Sequence, residues 1–73
     1  MMTTYDAIKQ ALDQGCNTKT RALAQAYRAL RVARHYVSRE ALEWTWTQME
    51  REGAIIRDGR QYRTQNGVQH DDQ

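Results

Sequence analysis

Between Ser38 and Arg63 the chain reads SREALEWTWTQMEREGAIIRDGRQYR, and its capping, apolar and glycine residues leave few folds open. The Ser38 side-chain oxygen can accept from an orphan amide at the start of a helix, and Val37 before it can meet Leu42 as a hydrophobic staple. Leu42, Trp46 and Met49 then recur at i, i+4 and i+7, one stripe of a helix beginning at Arg39. Gly53 supplies the left-handed residue that ends such a helix. Beyond it, Ile55-Ile56-Arg57 and Arg60-Gln61-Tyr62 flank Asp58-Gly59, a strong signal for a two-residue type I′ hairpin. That turn predicts Arg57 opposite Arg60 and Ile55 opposite Tyr62, with two arginines at the tip.

Seventy-three residues make one small domain, which buries only about 60% of the surface its unfolded chain exposes. Apolar residues are 40% of the chain and neither Phe nor Pro occurs, so the core must come from scattered Leu, Ile, Tyr, Trp and Ala. The lone Cys16 excludes an intramolecular disulfide framework, and no Cys/His spacing resembles a zinc site. No apolar run approaches the roughly 20 residues of a membrane span, and the N-terminus lacks a signal-peptide pattern. A soluble, cytoplasmic protein without metal or cofactor is expected.

Net charge is only +2, but it is unevenly spread. From Gln14 to Arg39 there is no acid, while Lys19, Arg21, Arg28, Arg31, Arg34 and Arg39 fall there. From Thr18 to Arg63 the ten basic residues exceed the five acids by five, whereas Asp6 and Asp13 precede this stretch and Asp71 and Asp72 follow it.

In chain order, Thr3 or Thr4 can cap a first helix over about Thr4 to Gln14, with Asp6 in the first turn where the helix dipole favours an anion. Tyr5, Ile8 and Leu12, with Ala11, are its expected buried stripe, and Gly15 its stop. Asn17, Thr18 and Thr20 are alternative caps for a second helix. Its expected buried face is Leu23, Tyr27, Leu30 and Ala26, with Arg21, Gln25, Arg28 and Arg31 on the other side. The pattern fails near Arg31 to Arg34, so a break is expected there, with Val32 to Val37 as a turn, with or without a short helical piece. Residues 1–63 are thus expected to form a single domain, mainly α with a small β-hairpin, in the order helix-helix-helix-hairpin. Residues 64–73, polar and acidic without periodicity, are expected to be a disordered tail.

That order, with TRALAQAY on the second helix and REALEWTWTQMEREGAIIRDGRQYR following, resembles the winged helix-turn-helix superfamily of small DNA-binding domains. The passage from Leu42 to Ile56 carries most of it: a helix ending Met49-Glu50-Arg51-Glu52-Gly53, then Ala54-Ile55-Ile56, looks like the exit from a recognition helix into a wing. One departure is visible. Helix-turn-helix units are joined by about 3–4 residues, yet Leu23-Ala24 lies well ahead of Val37-Ser38, so a longer second helix or an extra element over Arg31 to Tyr36 is required.

The resemblance implies a regulator of transcription or recombination that binds duplex DNA through the third helix. Opposite its apolar stripe lie Glu40, Trp44, Thr47, Gln48 and Arg51, of which Arg suits guanine, Gln suits adenine, and Thr a base or a phosphate. Glu40 and Glu43 are expected chiefly to stabilise the helix start. Trp44, a large aromatic on a polar face, is expected either in a small cluster under the Val32 to Tyr36 turn, or in a dimer contact, or against nucleic acid. Arg57 and Arg60 facing each other would cost stability that a polyanion removes, so with Arg63 they are read as a DNA-binding wing suited to a backbone or a narrow minor groove. Arg28 and Arg31 are candidate backbone contacts. Small size suggests a homodimer on a repeated half-site.

Catalysis is not expected. Cys16, His35 and His70 are isolated in sequence, and the four glycines stand singly, without a phosphate-binding loop. The alternative reading is a phage- or plasmid-type protein-interaction adaptor of the same fold, anchored by Trp44 and Tyr36.

Overall fold

A computed structural model describes residues 2–65. It contains α1 (Thr4–Asp13), α2 (Lys19–Val32), α3 (Arg39–Glu52), β1 (Ile55–Asp58) and β2 (Gln61–Thr64), the two strands forming an antiparallel hairpin. Helix-helix-helix-hairpin is therefore the observed order.

Each helix begins at a hydroxyl cap. Thr3 Oγ1 accepts from the Asp6 amide at 3.0 Å and the Asp6 carboxylate accepts from the Thr3 amide, a reciprocal box. Of the three candidate caps for α2 it is Thr18 that accepts, from the Arg21 amide, and Ser38 accepts from the Ala41 amide at 3.1 Å. Each helix also ends the same way, with a left-handed residue closed by 5→2 and 6→1 backbone bonds. That residue is Gly15 after α1, Arg34 after α2 and Gly53 after α3, with φ of 102°, 61° and 86°. The break expected near Arg31 to Arg34 is this stop. The turn expected from Val32 begins one residue later, since Val32 still belongs to α2: residues 33–34 form it and residues 35–38 are an irregular link without a further helical piece, and the longer second helix accounts for the wide spacing before α3.

The core holds Ala7, Ile8, Ala11 and Leu12 of α1, Ala22, Ala26 and Leu30 of α2, Leu42, Trp46 and Met49 of α3, and Ile55 of β1. Two expectations fail here. Tyr5 and Tyr27 are about two-fifths exposed, and the buried faces of α1 and α2 are turned toward their alanines. The physical reason is the close α1–α2 packing, the most extensive helix pairing in the fold, where small side chains let two backbones approach and large rings are displaced to the flanks. The α3 stripe is as expected, and all three of its members are at most 2% exposed.

The hairpin differs from expectation in its turn. The pairs are Ile55 with Thr64, Ile56 with Arg63, Arg57 with Tyr62 and Asp58 with Gln61, so Gly59-Arg60 is the two-residue loop. Gly59 has φ of 72° and Arg60 is not left-handed, the sign pattern of a type II′ turn, which needs glycine only at its first central position. A type I′ turn at Asp58-Gly59 would have placed Asp58 in the left-handed region as well. Partners shift by two positions, so side-chain alternation is preserved and Tyr62 stays on the inner face with Ile55 and Thr64. The Tyr62 ring meets Trp46 edge-on at 5.1 Å. Outside the hairpin, the Tyr62 amide donates to the Asn17 carbonyl at 2.8 Å and the Thr64 hydroxyl to Asp13 at 2.7 Å. Thr64 is therefore part of the fold, 3% exposed, and not the first residue of a tail. The remainder of the expected tail, from residue 66 onward, lies outside the described residues.

Candidate functional site

The expected site residues fall into three groups. On α3, Trp44, Thr47 and Arg51 are exposed and Gln48 is half-buried, all off the Leu42–Trp46–Met49 stripe. The Thr47 hydroxyl already donates to the Glu43 carbonyl at 3.1 Å, which leaves it an acceptor toward any partner. Trp44 is 65% exposed, Tyr36 71% and Val32 81%, so the small cluster expected under the turn does not form. The three sit on separate elements, Val32 at the end of α2, Tyr36 in the link and Trp44 on the outward face of α3, and each is directed to solvent.

On the hairpin, Arg57 and Arg60 are exposed near the turn. Because Arg57 stands opposite Tyr62, the like-charge opposition expected between the two arginines is absent. Arg57 Nε donates to the Gly59 carbonyl at 3.1 Å, and Arg63 lies 3.6 Å from the Asp58 carboxylate on the outer face. Arg63 is thus partly neutralised, while Arg57 and Arg60 have no carboxylate within 4 Å among the described residues.

The third group is α2. Arg28 and Arg31 lie beside a cleft of about 830 Å³ between α2 and α3, together with Lys19 and Arg39. Its inner wall is Leu23, Tyr27, Val37 and the buried Leu42. Lys19 Nζ spans from α2 to Glu43 of α3 at 3.0 Å, and the Arg31 guanidinium lies 5.9 Å from the centre of the Tyr27 ring. This cleft is not among the features expected from the sequence. Its signal there is the i, i+4 row Lys19, Leu23, Tyr27, Arg31, in which two apolar residues sit between two cations.

Charge commitment is asymmetric. Among the described residues, eleven Lys and Arg stand against seven Asp and Glu. Asp6, Asp13, Glu43 and Asp58 are engaged by intramolecular partners. Only Lys19 and Arg63 have a carboxylate within 4 Å, leaving nine cations without one among the described residues. His35 is half-buried, its Nδ1 donating to the Met2 carbonyl at 3.0 Å. No three metal-ligating side chains converge among the described residues, and none of their helices is long and apolar enough to cross a membrane. No family model, curated protein or solved structure matches the chain.

Proposed function

We propose that this chain is a duplex-DNA-binding protein of the winged helix-turn-helix type, a small cytoplasmic regulator of transcription or recombination. In this reading α3 enters the major groove, where Arg51 and Gln48 address base edges and Thr47 and Trp44 flank them. Arg57 and Arg60 at the hairpin turn hold a backbone or narrow minor groove, with Arg28 and Arg31 on flanking phosphates. One such module covers little DNA, so it works as a homodimer on repeated half-sites. What supports the reading is the uncompensated positive surface: nine cations lack a carboxylate within 4 Å among the described residues, while four of seven carboxylates are already engaged.

Selection from a random duplex pool tests it. The expected outcome is an enriched motif whose specificity is relaxed by Gln48→Ala and Arg51→Ala at defined base positions, with a loss of about 1–3 kcal/mol for each bidentate pairing. Failure to enrich any motif with the folded protein would overturn sequence-specific recognition.

A protein-interaction adaptor is the second reading, favoured by the exposure of Trp44 and Tyr36. Large exposed aromatics anchor protein interfaces. Trp44→Ala would then abolish partner capture while Arg57→Ala and Arg60→Ala leave it intact.

A further inference from the structure

Helix α2 carries two apolar strips. Ala22, Ala26 and Leu30 face the core and are fully buried. Leu23 and Tyr27, one residue further along, line the cleft against α3 instead, and Tyr27 remains 40% exposed there. Leu23 also packs against the edge of the core, while the Tyr27 ring stays two-fifths exposed, so it is the outer part of this strip that no other element of the described residues covers. It is continued across the cleft by Val37 and Leu42, giving an apolar wall on both sides.

The border of the cleft is cationic. Lys19, Arg28, Arg31 and Arg39 line it against a single carboxylate, Glu43, which Lys19 already holds. From Lys19 to Arg31 the α2 wall extends twelve residues, about 18 Å at helical rise, which matches about three turns of a partner helix. A phosphate backbone would satisfy the cations but would leave the apolar wall uncovered, because its charged oxygens lose hydration if buried against it. A segment with leucines on one face and carboxylates on the other satisfies both.

We propose that the α2–α3 cleft is a docking groove for an acidic amphipathic helix of a partner protein. Its leucine side chains lie between Leu23 and Tyr27 on one wall and Val37 and Leu42 on the other. Its carboxylates pair with Arg28, Arg31 and Arg39. This site is separate from the outward face of α3 and from the hairpin turn; it shares Arg28 and Arg31 with the flanking phosphates of the DNA reading, whereas Leu23, Tyr27, Val37 and Leu42 belong to the groove alone.

The test uses the full chain and a labelled peptide of roughly 16 residues, about 24 Å as a helix, with leucines on one helical face and glutamates on the other. Controls are a scrambled peptide of the same composition and a peptide with lysines in place of the glutamates. Anisotropy gives affinity, and amide chemical shifts give location. The expected result is binding that moves the amides of α2 and of Val37 to Glu43 and is at least about tenfold weaker for each control. Arg31→Glu and, separately, Tyr27→Ser should each weaken it about tenfold, whereas Arg57→Ala with Arg60→Ala should not. Both Tyr27 and Arg31 are exposed, and helical circular dichroism confirms that each variant folds.

Four results would overturn the proposal. The first is no shift with the leucine–glutamate peptide, and the second is equal binding of the scrambled peptide, which reduces the effect to net charge. The third is a duplex of about 20 base pairs moving the amides of the apolar wall, Leu23, Val37 and Leu42, and not only those beside the shared Arg28 and Arg31, which assigns the groove to nucleic acid. The fourth is a change in the cleft amides of the unliganded protein on dilution or on removal of residues 66–73, which makes a second copy or the chain's own acidic end the occupant. Failure of the DNA reading appears differently, as absence of duplex binding with peptide binding retained.

Discussion

The Thr64 hydroxyl donates a 2.7 Å hydrogen bond to Oδ1 of Asp13, tying the last residue of β2 to the last residue of α1 across 51 positions of sequence. Thr64 is buried and Asp13 exposed, so the two ends of this bond are not equivalent. Thr64→Val removes donor and acceptor demand at the buried end while keeping its shape, and should cost about 1 kcal/mol. Asp13→Ala leaves a buried hydroxyl without its acceptor and should cost more, about 1–3 kcal/mol. Urea unfolding of both variants and of the double variant measures the order, and the double should cost less than the two singles together.

Trp46 is the centre of the fold, fully buried and meeting the Tyr62 ring that brings the hairpin against α3. Its Nε1 is buried without a hydrogen-bond partner among the described residues. Trp46→Ala should cost about 3–5 kcal/mol, against a total stability of roughly 4–11 kcal/mol for a chain this long. Trp46→Phe should cost much less, because the lost packing is offset by removal of an unsatisfied donor. Thermal unfolding monitored by circular dichroism separates the two.

Arg34 occupies the left-handed position that glycine fills after the other two helices, at φ of 61°. A side chain there costs roughly 1–2 kcal/mol, while a glycine adds entropy to the unfolded chain. Arg34→Gly should therefore be neutral to about 1 kcal/mol stabilising. Gly15→Ala and Gly53→Ala should each destabilise by about 1 kcal/mol or more, although neither new Cβ would meet a neighbour within 4 Å. Denaturant midpoints of the three variants make the comparison.

The contrast between these glycines and Arg34 shows what the sequence made legible. Helix caps are local chemistry, and Ser38, Gly15 and Gly53 could be assigned from residue type alone. Nothing in the residue type at Arg34 announces a left-handed stop; only the failing apolar pattern around it does. Tyr5 and Tyr27 looked like core because periodicity reports which residues share a face, not which face meets a neighbour. The alanine-lined approach of α1 to α2, a tertiary fact, decided that. The hairpin was legible, but its turn was not, since Asp58-Gly59 and Gly59-Arg60 both offer a glycine, and β2's bonds to Asn17 and Asp13 favour the second. The exposed face of α3 followed from its stripe, while the cleft required two helices to be placed in space.

Removing the turn cations should barely affect folding. Arg57 and Arg60 do not oppose each other and have no carboxylate within 4 Å among the described residues, so Arg57→Ala with Arg60→Ala should change stability by less than about 0.5 kcal/mol. Urea midpoints check this, and a small change makes the double variant a clean probe of binding.

The most direct measurement of DNA binding is the affinity of the native chain and of this double variant for a labelled random-sequence duplex across a salt series. The proposal predicts micromolar or weaker binding that falls steeply with salt, and a slope of log K against log salt shallower by about 1.8 in the double variant, roughly 0.9 for each phosphate no longer neutralised. No binding by the folded native chain at low salt, or identical slopes for the two proteins, would contradict a DNA-binding hairpin.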